Sequence, residues 1–270
     1  MKILYWNVNR NRDIPKYLSA LAMDHEPDII ILSEWEHEIS HLLINLNKNL
    51  AREYHKTYSP YNDPQILTRI PRDTFKLMRD SKGISVRKID PIVGPDLLLI
   101  AVHLPSKLYR DDEDQLFEAE TVHNIVLEEE KRIGHSRSIV IGDFNMNPFE
   151  HSMVAASGFH AVMDKKVAEK KSRKVSKKEH FFFYNPMWGL YGENIDGPSG
   201  TYYYDSGKQI NYYWNMFDQV LIRPDLLDNI NQESLKILTK AGKYDLVNES
   251  GIPDKEDVSD HFPILLSLHL

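Results

Sequence analysis

Six short apolar runs spread over the chain constrain its fold more than any other feature: Ile3–Val8, Asp28–Ser33, Leu97–Leu104, Ser138–Phe144, Phe217–Arg223 and Phe262–Leu268. Each is of strand length, rich in Leu, Ile or Val, and mostly continuous rather than alternating. A strand with water on one face alternates, so continuous runs predict central strands covered on both faces. Between them the periodicity turns helical. Asp13 is placed to cap a helix with Pro15 in its first turn and Ile14, Leu18 and Leu21 along one face. Ile39, Leu42, Leu43 and Leu46 recur at helical spacing, and a longer helix is expected from Asp112 to Ile133, with Leu116, Ala119, Val122, Val126 and Ile133 inward. A short helix follows Pro148, with Gly158 as its expected C-cap. Strands and helices interleave without an internal repeat or a clean linker, which reads as one α/β domain over residues 1–270.

Composition excludes several classes of function. The chain has no cysteine, so disulfides and thiolate metal sites are ruled out, and any metal must be held by oxygen or imidazole. Lys2–Val8 has no long apolar h-region, and no run approaches membrane-spanning length, so a cytoplasmic protein with no membrane partner is expected. The net charge of −7 is uneven. Lys165–Lys178 carries eight basic residues and one acid, Glu169; subtracting that +7 from −7 leaves −14 for the remainder. An acidic body repels a polyphosphate at long range, so the stretch 164–179, expected as an exposed, mobile basic loop, is the candidate surface for a polyanion. Glu128, Glu129 and Glu130 on the long helix read as a solvated face.

The polar residues with chemical potential stand at the ends of the apolar runs: Trp6-Asn7-Val8-Asn9, Ser33-Glu34-Trp35, Val102-His103-Leu104-Pro105-Ser106, Gly142-Asp143-Phe144-Asn145-Met146-Asn147-Pro148, Phe217-Asp218-Gln219 and Ser259-Asp260-His261. Strand ends place side chains at a sheet rim, where a rigid scaffold can present them to one site. Glu34 and Asp260 are hard oxygen ligands suited to Mg²⁺ or Mn²⁺, and Asn7 can add a neutral oxygen. Asp143 can orient or deprotonate a water, with Asn145 beside it. Asp218 can pair with His261, fixing its tautomer and favouring its charged form, and His103 can donate a further hydrogen bond to a phosphate. Base, cationic donors and metal around one tetrahedral centre are what in-line phosphoryl transfer requires.

Taken in order, WNVN, the Glu after an apolar strand, VHLPS, GDFNMNP, FDQVLI and SDHFPILL resemble the motifs of the endonuclease/exonuclease/phosphatase superfamily, from residue 2 to residue 268. The resemblance implies two stacked mixed β-sheets flanked by helices, a DNase I-like four-layer sandwich. It implies a metal ligand at Glu34 with Asn7 and Asp260 nearby, a water-orienting or base role for Asp143 with Asn145, and a phosphate-stabilising pair at Asp218 and His261. Whether Asp143 or a metal-bound hydroxide takes the proton stays open at this level. Position 9 is Asn where several members have Asp, which weakens the argument for a second metal. Position 103 is His where abasic-site endonucleases typically have Tyr, a departure toward the DNase I and phosphatase branches.

His37-Glu38-Ile39-Ser40-His41 fits the H-E-x-x-H pattern of zinc peptidases. On a helix, both histidines would point away from the face carrying Ile39, Leu42 and Leu46, so a zinc peptidase is set aside as a remote alternative. From His180 to Phe217 the chain holds thirteen aromatic residues in 38 positions, more than half of them expected in the core. The surplus beside a cationic segment suits unstacked bases and favours a nucleic acid or nucleotide substrate. A small-molecule phosphatase or phosphodiesterase, acting for example on an inositol phosphate, is the alternative.

Overall fold

The computed structural model describes residues 1–48, 50–91, 94–107, 110–193 and 197–270. In chain order, β1 (Lys2–Asn7) leads through α1 (Ile14–His25) to β2 (Ile29–Ser33), followed by α2 (Ile39–Asn47), β3 (His55–Lys56) and β4 (Gln65–Thr68). Next come β5 (Phe75–Ser81), β6 (Ile84–Ile89), β7 (Leu97–His103), α3 (Asp112–Ile133), β8 (Ser138–Asp143) and α4 (His151–Val154). The third quarter holds β9 (Ala161–Val162), α5 (Lys165–Ala168), β10 (Ser172–Val175), β11 (Lys178–Phe181) and β12 (Phe183–Tyr184). The chain closes through β13 (Tyr202–Tyr204), β14 (Tyr213–Asn215), β15 (Asp218–Ile222), β16 (Leu235–Ile237), β17 (Lys240–Ala241), β18 (Tyr244–Asp245) and β19 (Ile264–Ser267).

The strands build two mixed sheets, ordered β16-β19-β1-β2-β4-β3 and β5-β6-β7-β8-β15-β12-β9. All six apolar runs become strands in them, each at an interior position of the sheet order, where both faces are covered. Ile3, Tyr5, Ile29 and Ile31 of the first sheet pack against Leu97, Leu99, Ile139, Ile141 and Val220 of the second. Their alternate neighbours face outward onto helices: Leu4, Trp6, Ile30 and Leu32 onto Leu18, Leu21 and Leu42, and Leu98, Ile100 and Val140 onto Ala119, Val122 and Val126. The result is four layers, helix on sheet on sheet on helix. Gly142 is required where β7 and β8 meet, because a Cβ there would lie 1.8 Å from the Val102 carbonyl oxygen. Among the described residues no helix is long and apolar enough to cross a membrane.

Several local expectations are corrected. Asp13 precedes α1 without capping it; its carboxylate instead approaches Lys16 at 3.8 Å. Gly158 does not end α4, which stops at Val154; a Cβ at Gly158 would lie 2.2 Å from the Ser152 carbonyl oxygen, so close packing explains it. Glu129 and Glu130 are buried rather than solvated, because each finds a cation: Arg132 for Glu129, and the fully buried Arg223 for Glu130. The basic stretch is not an irregular loop. It folds as α5, capped by the Asp164 carboxylate on Val167 N–H, and the hairpin β10–β11, held by four cross-strand pairs. Alternating Ser172, Arg173, Lys174 and Val175 can form a strand while both long cationic side chains stay wet.

Candidate active site

The polar residues converge because of strand direction. β1 and β2 run in parallel toward one rim, delivering Asn7 and then Glu34. In the second sheet β7 and β8 do the same, and β15 runs the other way, so that His103, Asp143 and Asp218 stand side by side across three strands. Ser259, Asp260 and His261 approach the same rim before β19 descends beside β1. The contacts cross the seam between the sheets.

Asp143 occupies the centre and is fully buried. Its Oδ1 accepts from Asn145 N–H at 2.8 Å, and its Oδ2 accepts from Asn7 Nδ2 at 3.1 Å. Two imidazoles face Oδ2, with His103 Nε2 and His261 Nε2 each 3.9 Å away. These gaps exceed hydrogen-bond length, so both ring nitrogens remain open to another oxygen. Burial pushes the Asp143 carboxyl above the ordinary carboxylate range, the two imidazoles opposing and Asp218 adding to the effect.

Each imidazole is held from behind by a carboxylate. His261 Nδ1 donates to Asp218 Oδ2 at 2.7 Å, and His103 Nδ1 to Asp63 Oδ2 at 2.5 Å. These bonds leave the Nε2 atoms pointing at Asp143. Burial alone would lower both histidines. For His261 the charge and hydrogen bond of Asp218, with Asp143 and Asp260, outweigh it and push the ring up to about 10. For His103 the Asp63 bond, with Asp143 and Glu34, pushes it up to about 9. Both are therefore cations at neutral pH.

Supporting bonds fix this set from the backbone. Ser259 Oγ donates to Asn7 O at 2.8 Å, Trp6 Nε1 to His261 O at 2.9 Å, and Asp218 N to Thr201 Oγ1 at 3.1 Å. Asn145 Nδ2 donates to Leu104 O at 2.8 Å. Glu34 (φ 58) and Asn145 (φ 51) are held in the left-handed region. Such backbone costs roughly 1 kcal/mol or more per residue and is tolerated where surrounding contacts over-determine it.

The chemistry of the donor set fits a hard divalent cation at Glu34 and Asp260. The Asp260 carboxyl is raised by burial and, among its neighbours, by the charge of Glu34, a mutual repulsion that a cation would relieve. Asn7 is placed differently from the sequence expectation. Its Nδ2 points to Glu34 Oε1 at 3.4 Å and to Asp143, while its Oδ1 accepts from Asn9 N–H, so it links the carboxylates as a donor. Among the described residues the tightest group of potential ligand atoms is Asp143, Asp218 and His261, within 4.8 Å of one another. A charged imidazole bonded to Asp218 makes that trio an acid–base cluster rather than a cage.

Asp63 escaped the sequence reading, since it lies between β3 and β4 in no apolar run and only the fold brings it under His103. Tyr202 escaped it as a specific residue; its ring lies 4.7 Å from His261 and 5.2 Å from Phe217. The aromatic segment is less buried than expected. Phe182 and Phe183 are in the core, whereas Phe181 is exposed at the end of β11, and Tyr204, Tyr212 and Tyr213 are exposed because β13 and β14 form a separate ribbon at the rim instead of a sheet interior. The H-E-x-x-H match straddles the start of α2 at Ile39, so its histidines do not share a helical face; His37 Nε2 meets Arg10 O at 2.6 Å and its ring packs on Trp35. The basic hairpin is remote from the site. Lys171 is tied to Asp225, beyond the end of β15 opposite to Asp218.

No protein-family model and no curated protein sequence matches the chain. Solved structures do. A truncated TDP2 from Caenorhabditis elegans aligns at 16% identity and TM-score 0.56, covering 99% of this chain and 96% of that one. An endonuclease/exonuclease/phosphatase family protein from Bacteroides thetaiotaomicron aligns at 16% identity and TM-score 0.57, covering 99% and 97%. The 3'-5' exonuclease NExo from Neisseria meningitidis aligns at 15% identity and TM-score 0.57, covering 100% of both. With its two stacked mixed sheets between helices, the chain has the DNase I-like fold of the endonuclease/exonuclease/phosphatase superfamily.

Proposed function

We propose that the chain is a divalent-metal-dependent hydrolase of phosphate esters, acting as one domain in the cytoplasm on a nucleic acid or nucleotide. The observation that carries this reading is the buried Asp143 facing two carboxylate-backed imidazolium groups across 3.9 Å gaps. Asp143, with its raised proton affinity, accepts a proton from the attacking water, and Asn145 N–H keeps its second oxygen fixed. His103 and His261 donate Nε2–H to the phosphate oxygens as negative charge builds on them. Asp63 and Asp218 keep those rings charged and correctly oriented. Glu34 and Asp260, with Asn7 beside them, would hold Mg²⁺ or Mn²⁺, and the ion would supply Lewis-acid neutralisation of the phosphate.

The choice of substrate is supported by exposed Tyr204, Tyr212 and Tyr213 beside the rim, and by structural neighbours that include a protein named as an exonuclease and one named as an AP endonuclease. Purified protein assayed with Mg²⁺, Mn²⁺ or EDTA against single-stranded DNA, duplex DNA, RNA, nucleotide esters and inositol phosphates tests the reading. Metal-dependent turnover of a nucleic acid or nucleotide is expected. Turnover that survives EDTA, or that is confined to inositol phosphates, would overturn it.

A further inference from the structure

The basic stretch that the fold carries away from the rim is an ordered surface. The hairpin β10–β11 is fastened to the body by Arg173 on His160, by His180 Nδ1 on Ala156 O at 2.7 Å, and by Phe182 N–H on Lys171 O at 2.8 Å. Along it and α5, Lys166, Lys170, Lys174, Lys177 and Lys178 are exposed, and none of their ammonium groups meets a carboxylate among the described residues. The rest of the chain carries −14, the net −7 less the +7 of Lys165–Lys178, so this face stands out as the one that attracts a polyanion. Because its backbone is already ordered, binding costs less than it would on a free chain of the same charge.

Between the hairpin and the C-terminal half of α3 lies a groove of about 310 Å³. Leu127, Phe181 and Pro224 give it an apolar wall, and Phe181 is 42% exposed. Both carboxylates in its lining are already answered, Glu130 by the Arg223 guanidinium and Asp225 by Lys171 and Ser136, whereas Lys131 is exposed with no carboxylate partner among the described residues. An exposed ring in an apolar groove beside a row of lysines meets an unstacked base and its neighbouring phosphates at once. A duplex keeps its bases stacked, and an anionic membrane would call for apolar side chains at the hairpin tip, where Ser176 and Lys177 stand instead. We infer that the hairpin and this groove form a second binding site for single-stranded nucleic acid, with phosphates along the five free lysines and a base on Phe181. Lys171 bonds to Asp225, and β15 alone puts roughly 14 Å between that end and Asp218 at the rim. The inference concerns binding alone, so it holds whether or not Asp143 serves hydrolysis.

The test is fluorescence anisotropy with the whole chain in EDTA, using labelled single-stranded 24-mers of thymidylate and of uridylate, a 24-mer duplex, and vesicles containing phosphatidylserine. Replacing Lys166, Lys170, Lys174, Lys177 and Lys178 together with Ser is expected to raise Kd for the single strands by about tenfold or more. The slope of log K against log salt should fall by up to about 3.5, roughly 0.7 for each lost phosphate contact. Phe181→Ala should raise Kd about tenfold with the slope unchanged, and Phe181→Trp should restore it, with unfolding midpoints measured in parallel. Wild-type affinity and slope in the folded five-lysine variant overturn the site, as does a preference for the duplex or binding to the vesicles without binding to the strands. In Mg²⁺ or Mn²⁺, the p-nitrophenyl ester of thymidine 5'-phosphate is too short to span β15, so the five-lysine variant should turn it over at the wild-type rate; a slower rate would overturn the separation of this site from the rim. No turnover by either protein overturns the hydrolase reading and leaves the strand-binding site standing.

Discussion

At the scale of single residues, the site depends on charges that burial would expel unless partners held them. Asp143→Asn keeps the shape and the Asn145 contact but removes the proposed proton acceptor, so kcat is expected to fall by about 10²–10⁴-fold. The variant should unfold at or above the wild-type temperature, because a buried charge is lost; a large loss of stability by calorimetry would show that the carboxylate is structural. Glu34→Gln removes the charge proposed to pair with that of Asp260 in holding a cation. Its activity should fall by orders of magnitude at ordinary Mg²⁺ and recover partly at high Mg²⁺ or with Mn²⁺. Metal binding measured by calorimetry should weaken in step, and unchanged affinity would count against Glu34 as a ligand. Both residues stand in the sequence at the ends of apolar runs. Asp63 does not, and nothing in the local sequence links it to His103 forty positions on.

At the scale of elements, the hairpin β10–β11 is fastened to the body through a neutral histidine. Arg173 Nε donates to His160 Nε2 at 2.8 Å, and the opposite ring nitrogen, Nδ1, meets Phe181 O at 3.2 Å. That pairing requires the neutral ring, and burial, with Arg173 nearby, pushes His160 down to about 4. Since the unfolded chain takes up the proton near pH 6.5, it binds more protons between about 6.5 and 4, and stability is complete above that window and lost as pH falls through it. His123, also pushed down to about 4 by burial, acts with the same sign. Between pH 7.5 and pH 5 each of these two histidines should contribute a loss of about 2 kcal/mol in urea unfolding, against an opposite contribution from His103 and His261, whose raised values favour the acid side. His160→Asn, which suits the left-handed backbone there, should lose about 2 kcal/mol less than the wild-type chain between the two pH values; an unchanged pH dependence would exclude the clamp. The basic composition was legible in the sequence, but its folding into a hairpin remote from the rim was not. Charge runs signal exposure, whereas regular structure here comes from cross-strand pairing and the buried His160 and Ala168.

At the scale of the whole molecule, the site exists only because two sheets are stacked in one register. Asn7, Glu34 and His261 belong to one, His103, Asp143 and Asp218 to the other, and the core between them sets their spacing. Leu99→Ala, at a fully buried position of that core, should cost about 2–5 kcal/mol in urea unfolding. It should also lower kcat more than KM in the folded variant, because the two halves of the site lose their fixed separation; a stability loss with unchanged kcat would show that the seam tolerates slack. The sequence by itself determined the central strands, the long helix and the polar residue at each strand end, because burial on both faces demands continuous apolar runs and their limits fall where the rim begins. Only the tertiary structure decided which carboxylate stands behind each histidine, that Asn7 turns its amide N–H toward Glu34 and Asp143, and that the basic hairpin lies away from the rim. These are matters of distance between segments far apart in the chain, and local patterning carries no information about distance.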